Sequence, residues 1–139
     1  MTKIKNQFGS YAFAQFIFLL LHLGLIIELM LIGHYESFWQ YLPLVSLILG
    51  LISVRFNSSS LHLVKFIYIL IILTGLLGVF LHLKNNWEFE LEMYADISMI
   101  ELIRRSFTGA VPALAPGSLV PIGLMGFLLI QLKSNQSKR

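Results

Sequence analysis

Polar and apolar positions along this chain fall into blocks rather than a fine alternation. Apolar stretches run from about Tyr11 to Ile32, from Phe38 to Val54, from Leu63 to Leu83, and between Gly109 and Leu132. The first is long enough, as a helix rising ~1.5 Å per residue, to cross a hydrocarbon core of ~30 Å. The second is shorter, carries Pro43 near its start, and would cross with little tilt. The last is interrupted by Pro112, Pro116 and Pro121. Its run Pro112-Ala113-Leu114-Ala115-Pro116-Gly117 breaks any membrane helix. Such backbone is tolerated at membrane depth only when buried in protein or lining a wet cavity. Alternatively it is a loop just outside the bilayer, and the last helix begins after it. The pattern predicts one all-α domain over 1–139, a four-transmembrane-helix bundle with helices at about 11–32, 38–54, 63–83 and 117–132. Lys3 and Lys5 precede the first stretch as in a signal peptide. Its apolar run is too long for one, and Gly33-His34-Tyr35-Glu36 follows instead of a small-residue cleavage site, so a retained helix is expected.

Between the third and fourth helices the pattern changes. Trp87-Glu88-Phe89-Glu90-Leu91-Glu92-Met93 alternates apolar and acidic side chains. Period two predicts a short extended stretch with the three glutamates on one face. As a helix, the same residues would put Glu88 and Glu92 together and turn Glu90 away. Ser98-Met99-Ile100-Glu101 then reads as a capping box, predicting a short helix to about Phe107 with Glu101 and Arg105 paired at i, i+4. Ile97, Ile100, Ile103 and Phe107 recur at helical spacing, so this amphipathic helix should lie on the membrane surface or on the bundle.

Composition narrows the class. The chain is 57% hydrophobic and 12% charged, with a mean hydropathy of +0.80. A soluble domain this small has no interior for so much apolar side chain. That excludes an ordinary soluble globule and a disordered chain, and the scattered basic residues form no stripe for nucleic acid. The partner implied is the lipid bilayer. Cysteine is absent, which removes disulfides, thiolate metal sites and cysteine nucleophiles. Lys3, Lys5, Arg55, Lys65, Lys133, Lys138 and Arg139 fall on one side of the four-helix count, and only Lys84, Arg104 and Arg105 on the other. The excess marks the cytoplasmic side, so both termini should face the cytoplasm.

Seven residues then gather on the outer side: Glu28 in the outer half of helix one, with His34, Glu36, His82, Glu88, Glu90 and Glu92. A charge at the bilayer centre costs roughly 2.5–3.5 kcal/mol on insertion scales, so Glu28 is either a packing contact or a functional carboxylate. Imidazole and carboxylate ligands suit zinc, manganese, iron or copper(II). No compact H-x-x-x-H or H-E-x-x-H pair occurs, and the plainer reading makes His34 and His82 interfacial residues bonded to loop backbone. His22, near the middle of helix one, reads as a neutral histidine bonded across helices, or as a haem ligand or proton relay. No second histidine counts to its depth, so no haem is expected within this chain. Gly75 and Gly78, and Gly123 and Gly126, offer flat faces for close helix approach, in the plainer reading as packing within the bundle and otherwise toward other membrane subunits or a second copy. No serine lies in a nucleophile motif and no phosphate loop occurs. Catalysis would reduce to metal-dependent chemistry at the His/Glu group or acid–base work by Glu28.

Glu28, Gly33-His34-Tyr35-Glu36 with Trp39-Gln40, Glu88-Phe89-Glu90-Leu91-Glu92-Met93, and Pro112 to Gly117 together resemble a family of small bacterial four-helix membrane proteins of unassigned function. The resemblance spans most of the chain and implies the fold but no activity. Asn85-Asn86 stands where that pattern leads one to expect a glycine first. The functional expectation is a binding or accessory protein whose outward-facing His/Glu site holds a divalent metal ion. The alternatives are a structural subunit of a larger membrane complex and, last, a small metal-dependent membrane enzyme.

Overall fold

Every apolar block becomes a helix. The computed structural model describes residues 2–56, 60–109 and 111–137, with side chains from residue 9 onward. It contains α1 (Thr2–Leu31), α2 (Phe38–Ser53), α3 (Leu61–Met93), α4 (Met99–Thr108), a 3-10 turn (Ala115–Ser118) and α5 (Leu119–Ser137). No strand occurs among the described residues. Three helices, α1, α3 and the turn–α5 unit, are long and apolar enough to cross a membrane. By length and composition this is a membrane-embedded protein. The 16 residues of α2 are as apolar but span only about 24 Å.

The four apolar helices close a ring in which α1 lies beside α2 and α5, and α3 beside α2 and α5. His34, just after α1, meets His82 on α3, and Lys133 on α5 reaches the carbonyl of Phe56, just after α2. Hence α1 and α3 run one way and α2 and α5 the other, as short connections require. Phe18, Leu47 and Ile71 fill the centre. Tyr68 stands edge-on to Phe18 at 5.7 Å and to Phe127 at 5.9 Å. The outside is no more polar than the inside: Phe13, Phe16, Phe66, Leu73 and Phe80 all point outward. A water-facing bundle would not tolerate so continuous an apolar surface, whereas lipid requires it.

Both glycine pairs pack within the chain, as the plainer reading has it. A Cβ at Gly126 would sit 2.6 Å from the Tyr68 ring, and one at Gly75 would sit 2.9 Å from Leu119 Cβ. These glycines form the close α3–α5 seam. Side-chain-free positions there allow the two backbones to approach, which is how membrane helices gain packing without a hydrophobic driving force between them.

The acidic row is helical, not extended. No glycine or proline occurs between Gly78 and Gly109, and a lone extended stretch would leave its backbone groups unpaired. α3 therefore continues through Met93, about 16 Å past the level of His82 at 1.5 Å per residue. A tight turn returns the chain as α4, docked along this extension. The Ser98 hydroxyl accepts from the Glu101 N–H at 3.3 Å, the cap the motif predicts. Asn86, 2% exposed, fastens the far end: its amide donates to the carbonyls of Ser106 and Val111 at 2.9 and 2.7 Å and accepts from Val111 N–H at 3.1 Å. The proline-rich run then turns beside α3, with Pro116 packed on Gly78, before α5 begins at Leu119.

Candidate functional site

The end of α1 determines where the first imidazole stands. Gly33 adopts φ +68°, a left-handed conformation that costs glycine nothing. Its N–H donates to Met30 O at 3.2 Å, while His34 N–H donates to Leu29 O at 2.9 Å. This pair of bonds is the Schellman ending of a helix, and it directs His34 back over the bundle. The next helix is capped by Gln40, whose Oε1 accepts from the N–H groups of Glu36 at 2.7 Å and Ser37 at 3.0 Å. On α3, His82 Nδ1 lies 3.0 Å from Pro112 O. A carbonyl only accepts, so Nδ1 carries the proton toward it, and in the neutral ring Nε2 is the nitrogen with a lone pair for a ligand. Thus the proline-rich run has a positioning role: it orients an imidazole.

The two rings stand 6.5 Å apart, tilted by 61°. They line one cavity of about 600 Å³ between α1, α2, α3 and residues 112–119, whose wall also carries Glu28. Its remaining lining is mainly aliphatic, with Ser37, Gln40, Thr74, Lys84, Asn85 and Ser118 as further polar contacts. The volume is that of a small-ligand pocket. Partial burial, and secondarily the charge of His82, push the His34 pKa down. That shift favours the neutral ring, the form in which imidazole binds metals.

Of the seven residues expected to converge, Glu28, His34 and His82 share this cavity and the other four do not. Glu28 is exposed on α1 rather than buried inside the bundle. Glu36 is exposed on the connection. Glu88 pairs with Lys84 at 3.4 Å, Glu90 is buried against Arg105 at 3.3 Å, and Glu92 is exposed. A helix turns ~100° per residue, so side chains that a strand would align are fanned around α3. Among the described residues, no three or more His, Asp or Glu side chains come together so as to hold a metal ion.

A second polar group holds α4. Glu101 accepts from Arg104 Nε at 2.8 Å and Arg105 Nε at 2.7 Å. These bonds, Arg104 first, lower its pKa to about 2. Arg105 also lies 4.4 Å over the Tyr94 ring. This is a structural clasp with each charge paired.

His22 behaves differently from expectation. Its Nδ1 bonds to Phe18 O, 2.8 Å away on the same helix, rather than to a neighbouring helix. Nε2 is buried without a hydrogen-bond partner and faces Gly50, where an added Cβ would overlap the ring.

Three positioning residues escaped the sequence reading. Gln40 was legible in principle, since Ser37-Phe38-Trp39-Gln40 has the same capping spacing as Ser98 to Glu101. Asn86 and Pro112 act through contacts 25 and 30 residues distant, which no local pattern encodes. Compared with known protein families, curated proteins and solved structures, the chain finds no match in any of the three.

Proposed function

We propose that this is a four-pass membrane binding protein whose cavity at the His34 end takes a divalent metal ion between His34 and His82, with Glu28 on the same wall. The observation that carries this reading is the pair of imidazoles across one cavity, 6.5 Å apart. Two features support a metal as the ligand. His82 is oriented by a backbone carbonyl through its other ring nitrogen, the arrangement metal-bound histidines commonly have. The His34 pKa is pushed down, which favours its neutral ring. The remaining coordination positions would be left to water or to a ligand carried by the metal. In this reading Glu36, Glu88, Glu90 and Glu92 leave the ligand set. Lysine and arginine counts put the cavity on the outer face and both termini in the cytoplasm of the bacterial inner membrane.

Calorimetric titration of the purified protein with zinc and manganese tests the proposal. We expect one site per chain and affinity at least about tenfold weaker in His34→Ala and in His82→Ala. No uptake, or uptake unchanged in both variants, would overturn it.

A second reading, a structural subunit of a larger membrane complex, is favoured by one observation. The α3 extension and α4 carry Phe89, Met93, Met99, Ile100 and Ile103 exposed beyond the apolar bundle. Exposed apolar surface of this kind marks a contact face.

A further inference from the structure

The opposite end of the bundle holds a second cavity, of about 370 Å³, between the last turns of α2 and α5 and the first turns of α3. We propose that it binds an anionic phospholipid, with an acyl chain inside the bundle and the phosphate at Lys133. This site shares no residue with the His34 cavity and goes beyond the metal-binding reading.

Three observations lead to that ligand. First, the cavity is amphiphilic along its length. Val64 and Leu129 form part of its wall, while Lys133, Ser134 and Ser137 line it on the final turns of α5. Second, its charge has one sign: Lys133 lines it, and none of the described lining residues is acidic. The Lys133 ammonium donates to Phe56 O at 3.2 Å, which tethers it beside the cavity and leaves two of its three donors for a phosphate. Third, α3 begins here. Leu61, its first residue, lines the cavity, and the Ser60 side chain makes no cap bond. The positive end of the helix dipole therefore adds to the lysine.

The inner boundary is polar yet satisfied. Tyr68 OH donates to Ser53 Oγ at 3.0 Å, and Ser53 in turn donates to Gly50 O at 2.6 Å. Those hydroxyls are already paired, so they do not call for a buried polar ligand. The apolar lining suits a hydrocarbon chain. A bilayer supplies such a molecule at high local concentration.

The test is lipid binding by the full chain in a non-ionic detergent, followed by native mass spectrometry and thermal unfolding. Phosphatidylglycerol, phosphatidylcholine with the same acyl chains, and inorganic phosphate are compared. We expect phosphatidylglycerol to bind about fivefold more tightly than phosphatidylcholine, the preference one lysine supplies near a surface. Lys133→Gln should abolish that preference, and Val64→Trp, which fills the cavity, should abolish retention of both lipids. Equal binding of the two lipids, or an undiminished preference in Lys133→Gln, would overturn the proposal. So would stabilisation by inorganic phosphate equal to that by lipid, which would mean a free anion site. Lys133 is exposed, so its variant decides the matter if Val64→Trp does not fold.

Discussion

Single side chains hold this molecule at a few close approaches. Gly50 is the tightest in the core: a methyl group there would enter the His22 ring, and His22 is fully buried with no room to retreat. Gly50→Ala should destabilise the bundle by about 1–3 kcal/mol, seen as a lower unfolding temperature in detergent. An unchanged temperature would mean that α2 shifts freely. Asn86→Ala should cost about 1–3 kcal/mol, because it strands the buried carbonyl of Ser106 and the half-buried backbone of Val111. Limited proteolysis should then cut the α4 connections first. His34 makes a pH prediction. Its pKa is pushed below the ordinary histidine value, so its deprotonated, ligand-ready form persists to lower pH than usual. The His34 ring should therefore take up its proton at a lower pH than an ordinary histidine, as a titration of its imidazole resonances in the metal-free protein would show. A midpoint at or above the ordinary histidine value would contradict the burial assigned to His34.

At the level of whole elements, α4 and the α3 extension carry the largest difference between sequence and structure. The glutamates at 88, 90 and 92 alternate as in a strand, yet the backbone is helical because Lys84–Glu88 and Glu90–Arg105 pairs, together with the Asn86 clamp, reward the helix. Period alone could not reveal partners from α4. The capping box at Ser98, by contrast, is a local signal, and α4 follows it. Likewise the membrane helices were legible because each is specified by its own composition, whereas the His82–Pro112 bond is a product of tertiary packing. The Glu101 clasp titrates with a definite sign. The two arginines hold its folded pKa at about 2, well below the ordinary carboxylate value, so its contribution is present above about 4.5 and disappears as pH falls toward about 2. The Glu101 carboxyl resonance in a pH titration should have its midpoint near 2. A midpoint above 4 would mean the arginines do not engage it. On the exposed side of α4, Ile100 is 83% exposed. Ile100→Glu should leave the fold within about 0.5 kcal/mol, and it would dissociate a complex that uses this face.

The whole molecule is a ring of four apolar helices with a cavity at each end, a histidine-lined one beside the proline-rich run and a lysine-lined one beside the last turns of α5. In the function proposed for it, all four helices, short α2 included, cross the bilayer and the His34 cavity opens to the outside. The chain contains no cysteine, so a single introduced thiol reports its own location without background. Ser37 borders the His34 cavity and Ser134 the Lys133 cavity, and both are exposed. The decisive measurement is labelling of Ser37→Cys and Ser134→Cys in intact cells with a membrane-impermeant maleimide. The account predicts that Ser37→Cys reacts in intact cells and Ser134→Cys only after lysis. Both reacting from the same side, or the reverse order, would contradict it.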